Sequence, residues 1–220
     1  LPTNALNKIF LLLHREIVRM DGSEENYTEK FKYALLSKKE RARYPSDDEF
    51  AECMSTRNIY GMNPKNKLYL FERLENAGTG ETKDVWGHLD RGEYSIEHIM
   101  PQHLTPAWIK ELGEDYEQIH ELWLHRIAHL TLTGYNSKYS NSSFAEKKNM
   151  RNEKRDTQNG FKDSGLRMNT WIAQQDKWGL AELERRSQLL MERALAIWAK
   201  PQSDFPPAQK QMDSYSLADD

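Results

Sequence analysis

The chain has 220 residues, of which 38% are hydrophobic and 30% charged. That is enough length and apolar content for a sizeable buried core, and it argues against disorder over most of the sequence. The net charge of −3 makes no global invitation to nucleic acid, and the single cysteine, Cys53, excludes an internal disulfide framework and a cysteine-based zinc site.

The first eighty or so residues read as helices. Thr3 or Asn4 caps a helix whose Leu6, Ile9, Phe10, Leu13 and Ile17 keep the spacing of a buried stripe. Tyr27-Thr28 opens a second helix, with Phe31, Ala34 and Leu35 inward, ending before Pro45. The acidic start Ser46-Asp47-Asp48-Glu49 predicts a third. Pro64 suits the first turn of a fourth, carrying Leu68, Leu70, Phe71 and Leu74 and stopped by Gly78-Thr79-Gly80. A polar stretch with Gly87 and Gly92 leads to a candidate strand, Tyr94–Ile99, closed by Pro101.

Residues 104–128 read as helix in pieces, opened by Pro106 and interrupted by Gly113. His129–Thr133 is a second short strand, ended by Gly134. Ser142 or Ser143 then caps a helix through Phe144, Lys147 and Met150. Two more helices follow, over 166–178 and 180–198, and the Pro-rich segment from Lys200 onward is expected to be disordered. No run approaches the roughly 18 apolar residues of a membrane span. The single cysteine suits a reducing cytoplasm. The start at Leu1-Pro2, without an initiator methionine, suggests a piece of a larger protein.

Chemistry concentrates in three strings: Tyr94-Ser-Ile-Glu-His-Ile-Met-Pro101, Leu130-Thr-Leu-Thr-Gly-Tyr-Asn136 and Asn141-Ser-Ser-Phe144. They combine a carboxylate, an imidazole and carboxamide oxygens, a donor set able to hold one hard cation and activate one water. Strand alternation puts Glu97 and His98 on opposite faces, so sharing a site requires local twist or a bulge. Between Lys138 and Arg167 stand eight basic residues against four acidic, a net +4 suited either to a phosphate backbone or to a solvated helix face. His125 and His129, four apart, have the spacing of a helical zinc pair, but no third ligand is evident. His103 and His120 read as surface or positioning residues.

The string Ile96-Glu97-His98-Ile99-Met100-Pro101-Gln102, then Trp108, then His125–Asn136 and Ser140–Lys147, closely resembles the C-terminal HNH domain of GmrSD-type restriction endonucleases. Leu166-Arg-Met-Asn169, Trp178 and Ala196–Pro201 extend the likeness over most of residues 65–201. The resemblance implies a modification-dependent or phage-defence DNA endonuclease using Mg²⁺ or Mn²⁺. It implies a mainly α fold with a small α+β core, a helical scaffold around a ββα-metal motif. The expected organisation is a helical part over 1–85, the nuclease core over 86–155, packing helices over 156–200 and a tail over 201–220. In the family an NTP-using domain with a DGQQR-like motif normally precedes this one, and no such motif occurs here.

Residue by residue, His98 falls at the general base and Glu97 at the acidic metal ligand. Asn136, or alternatively Asn141, would supply a neutral oxygen to the same ion. Lys138, Lys147, Lys148 and Arg151 are the candidates for contact with DNA. The chain departs from the family at Ala128-His129, where Gly-Asn is usual. That asparagine generally braces the loop carrying the base, and His129 would hydrogen-bond in its place. Two alternatives remain open at this point: a DNA-binding or interaction module of the same family with a weakened site, and a helical regulatory domain contacting a partner through residues 1–85.

Overall fold

Side chains cap three of the helix starts among the described residues, at Asn63, Asp84 and Ser143. The computed structural model describes residues 3–20, 26–134, 139–151 and 159–205. These fall into two compact units, one of the described residues up to 47 with 200–205, the other of those within 48–199.

In the first unit, helices α1 (Thr3–Arg19) and α2 (Tyr27–Leu36) pack through Leu13, Ile17 and Ala34, with Met20, Phe31 and Leu35 around them. Residues 201–205 lie within the same unit, where Ser203 Oγ donates to the Glu29 carbonyl and Phe205 packs against Tyr33. The expected α1 stripe is narrower than its sequence spacing suggests. Leu13 and Ile17 are buried, but Phe10 is 61% exposed, because α2 covers only one side of the helix. The side chain of Leu6 and the segment 206–220 lie outside the described residues.

In the second unit, α3 (Asp47–Thr56) and α4 (Pro64–Asn76) are followed by α5 (Val85–Asp90). Asn63 caps α4, its side chain accepting from Lys65 N–H at 3.0 Å, with Pro64 in the first turn. Helix α5 occupies the stretch that reads as polar and irregular. The Asp84 side chain accepts from Gly87 N–H at 2.8 Å and turns an unpromising six residues into a capped helix.

Strand β1 (Ser95–His98) then pairs antiparallel with β2 (Leu130–Thr133), in the register Glu97 with Thr131 and His98 with Leu130. Between the strands lie α6 (Pro106–Leu112) and α7 (Tyr116–Trp123), separated at Gly113, whose φ of +82° favours glycine. After β2 come α8 (Phe144–Asn149), α9 (Arg167–Gln174) and α10 (Leu180–Ile197). The fold is thus mainly α around a two-stranded ribbon, with the order β1, β2, α8 across the motif-bearing segments.

Two apolar clusters hold the ribbon. Leu130 and Leu132 pack with Phe71, Leu74, Val85 and Ala194 on one side. Ile99, Met100, Ala128, Phe144, Phe161 and Trp178 form the other cluster. An isolated two-stranded ribbon is marginal in water, so these helices supply its stability. Side chains also satisfy carbonyls that β1 leaves unpaired. Asn169 Nδ2 donates to Leu132 O at 3.0 Å, and Arg186 Nη1 donates to Ala128 O and Leu130 O at 2.7 and 2.9 Å. Buried Glu75 accepts from the N–H groups of Arg167 and Met168, placing a carboxylate at the positive start of α9.

Candidate active site

Adjacent residues of β1 lead to different environments. The Glu97 carboxylate meets Lys147, and His98 Nε2 lies 3.2 Å from His125 Nδ1. Both residues nevertheless line one cleft of about 320 Å³, together with Tyr60, Gln102, Ser140 and Asn141. The ladder continues past β1, since Ile99 N–H donates to His129 O at 3.1 Å. That bond carries the turn toward Pro101, so the segment holding His98 is anchored on both sides of it.

His129 is the anchor behind that segment. It is fully buried at the end of a 3₁₀ turn (Ile127–His129). Its Nε2 must accept from Met100 N–H at 2.6 Å, and its Nδ1 must donate to Leu124 O at 2.8 Å. These partners assign the neutral Nδ1–H tautomer. Burial drives its pKa well below the ordinary imidazole value, so the ring stays neutral. With both nitrogens engaged, His129 has no lone pair for zinc, and His125 and His129 do not form the metal pair their spacing suggests. Its two bonds tie the turn at Met100 to the end of α7.

His98 is 5% exposed, its ring packed 4.4 Å from that of Tyr60 and 5.7 Å from that of His129. Burial first, and then repulsion from His125 if that ring is protonated and from the Lys147 ammonium, push its pKa down to about 4. Neutral His98 therefore presents a lone pair at neutral pH. His120 braces the same region by donating Nε2–H to Pro101 O at 2.9 Å, and His103 lies exposed on the rim of the cleft.

Lys147 is fully buried. Its Nζ donates to Glu97 Oε1 at 2.5 Å and to His98 O at 3.0 Å. Burial pushes the Glu97 carboxyl up and the Lys147 ammonium down, in each case outweighing the attraction of the partner. This lysine stands inside the molecule, not on a helix surface or at the DNA-facing position that its place in a basic segment suggests. The cause is tertiary: α8 lies on the ribbon with Phe144 against Phe161 and Trp178, which turns its 147 position inward. The loop return at Gly160 crosses so closely that a Cβ there would collide with the carbonyls of Lys147 and Lys148.

The other candidates are dispersed. Asn141 is exposed on the cleft wall, next to Ser140, whose φ of +41° is left-handed and strained for a non-glycine residue. Ser143 then caps α8 through a reciprocal box with Glu146. Lys148 bonds Gln175 O at 2.6 Å and Asp176, and exposed Arg151 pairs with Asp163 at 2.9 Å. Asn136 and Lys138 lie outside the described residues.

Oxygen donors that border the cleft suit Mg²⁺ or Mn²⁺ better than zinc. Lys147 engages Glu97 through Oε1, and Glu97 and Asn141 border the same cleft. Among the described residues no three His, Cys, Asp or Glu side chains gather into a metal cage. The fit is to a cation held by one or two protein oxygens, water and a substrate phosphate, the habit of Mg²⁺. Tyr60 is missed in the sequence altogether, and His125 is met there only as a discounted zinc-pair candidate and at the edge of a family-like string, never as a neighbour of His98. Only the packing of the 57–62 turn against the end of α7 reveals them, since Ile59 N–H and Tyr60 N–H both donate to His125 O.

Residues 44–193 match the family model described as GmrSD restriction endonucleases, C-terminal domain. A search of the curated proteins returns no match.

Proposed function

The chain belongs to the family of GmrSD restriction endonuclease C-terminal domains, a nuclease domain of the restriction type with DNA as its substrate, and from that membership we propose a metal-dependent HNH endonuclease of the ββα-metal type. The observation that carries the proposal is the shared cleft: Glu97, His98 and Asn141, from two separate motifs, border one space beside an ordered ββα succession. In this reading His98 takes the proton of the attacking water. Its low pKa in the free protein keeps it unprotonated, and an incoming phosphate, being negative, pulls that pKa back toward the range where a base works.

Glu97, with Asn136 or Asn141, would hold Mg²⁺ or Mn²⁺. The ion, when bound, supplies positive charge to the phosphate and the leaving 3′ oxygen. Lys147 keeps Glu97 pointed and blocks its collapse into the apolar cluster behind. His129 fills the bracing role and so supports retained activity despite the departure from Gly-Asn. Lys148 and Arg151, with Lys138, are proposed contacts for the DNA backbone, drawn from their present partners when DNA arrives. An NTP-using sensor domain preceding this one is part of the same proposal.

Plasmid nicking tests the reading. Supercoiled plasmid should be nicked or cut with Mg²⁺ or Mn²⁺ and left intact with EDTA. His98→Ala should fold and bind DNA while cleavage disappears. Cleavage that persists in EDTA removes the metal, and a fully active His98→Ala protein removes the base.

A further inference from the structure

His98 needs more than a low pKa to serve as a base. An imidazole presents one lone pair, and the hydrogen bond at its other nitrogen decides which nitrogen carries it. In this site the other partner is a side chain. His98 Nε2 lies 3.2 Å from His125 Nδ1, a distance that fits one N–H···N hydrogen bond whose direction follows from the tautomers of the two rings.

We propose that His125 is the positioning residue that sets the tautomer of His98, accepting its Nε2–H at Nδ1 and so leaving Nδ1 of His98 to take the proton from water. The inference rests on His98 being the base. It concerns a residue that no sequence motif singles out for this role.

Three observations support it. First, the proposed direction requires the Nε2–H form in both rings, the more stable tautomer of a free neutral histidine side chain. The reverse direction requires the less stable Nδ1–H form in both. Second, His125 is built in place and is not a loose surface ring. The Ile59 and Tyr60 N–H groups donate to its carbonyl at 2.8 and 3.3 Å. The Tyr60 ring stacks on it with centroids 5.5 Å apart and planes 13° apart, while contacting His98 on another side. Third, His125 is half-buried and also lines a second cleft of about 550 Å³ with Asn58, Glu121 and Arg126. Its Nε2–H can therefore be hydrated without a protein acceptor. His129, by contrast, is locked in the opposite tautomer by its two backbone partners and cannot substitute.

The test uses the full chain with ¹⁵N-labelled histidine. Two-bond proton–nitrogen NMR correlations read the tautomer of His98, assigned by loss of its signals in His98→Gln. Wild type should show a single Nε2–H form. His125→Phe keeps a ring against Tyr60 but removes the acceptor, and should give mixed tautomers of His98 with an unchanged fold. In plasmid cleavage it should lower kcat roughly 10- to 100-fold, the range for loss of an orienting partner, with KM for DNA unchanged. His125→Asn, whose amide oxygen can fall near the Nδ1 position, should restore most of kcat and the single tautomer.

An Nδ1–H tautomer for wild-type His98 overturns the proposal, as does an unaltered His98 tautomer in His125→Phe. Equal loss of kcat in the Asn and Phe variants also overturns it. If His98→Ala cleaves normally while the tautomer remains locked, the base assignment fails and this inference falls with it. The NMR result then separates that failure from a missing His98–His125 bond.

Discussion

The ribbon has a back and a front, and they solve opposite problems. At the back, His129, Arg186, Asn169 and Glu75 are all buried, and each makes at least two hydrogen bonds to fixed partners. At the front, His98 has a side-chain partner in His125, while Asn141 and Ser140 stand exposed beside a strained backbone. The back uses polar groups to fix a loop, where every unmet bond costs about 1–3 kcal/mol. The front leaves polar groups available, which is what a substrate needs. The two histidines make the contrast sharpest: His129 has both ring nitrogens bonded to backbone, whereas the ring of His98 has its Nε2 against a side chain, His125, and lines the cleft.

Exchanging a front residue has the largest expected effect. His98→Ala should lower cleavage by about 10²–10⁴-fold, the range for a general base, with little change in melting temperature. Should the melting temperature collapse instead, His98 belongs with the back.

Next is the group that joins the two faces. Lys147→Met strands Glu97 in the interior, and stability should drop by about 3–5 kcal/mol in denaturant titrations. The double variant Glu97→Leu with Lys147→Met should recover most of that loss, since it removes both buried charges. No recovery would mean that the pair holds the fold by more than charge compensation.

His129→Ala removes the partners of Met100 N–H and Leu124 O together, and should cost about 2–4 kcal/mol. Cleavage should then fail through loss of the loop, visible as accelerated amide exchange at Met100.

Acid sharpens the same contrast. Unfolded His98 binds its proton near pH 6.5, whereas the folded chain holds the ring neutral down to about 4. Between those values the unfolded chain takes up the proton and the folded chain does not. This contribution is therefore intact above pH 6.5, shrinks as the pH falls through the window, and levels off below 4, at about 3 kcal/mol in all. His125 and His129, also shifted down, act in the same sense, while the raised Glu97 acts in the opposite one. The difference in stability between wild type and His98→Gln across pH 4–7 isolates the His98 part; a flat difference would contradict it. The smallest effect is at Ser143, where alanine removes the cap of α8 and should cost about 1 kcal/mol by thermal melt.

The helical class, the two short strands and the helix that follows them are legible in local patterns along the chain. Those features follow from local causes: the Pro64 and Pro106 starts, the Gly113 break, the β-branched run at 130–133 and the Ser143 cap. A carboxylate, an imidazole and an asparagine also stand out in short strings, but alternation along β1 argues against Glu97 and His98 sharing a site, and it is the fold that brings them with Asn141 to one cleft. The tertiary structure decided which polar groups face inward. Nothing local distinguishes Lys147 from Lys148, yet packing buries the first against Glu97 and leaves the second to bond Gln175 near the surface. Only the fold brings Tyr60 and His125 to His98 across 38 and 27 positions. Side-chain burial and long-range contacts depend on how elements stack, and stacking is a sum over the whole chain that no window of sequence contains.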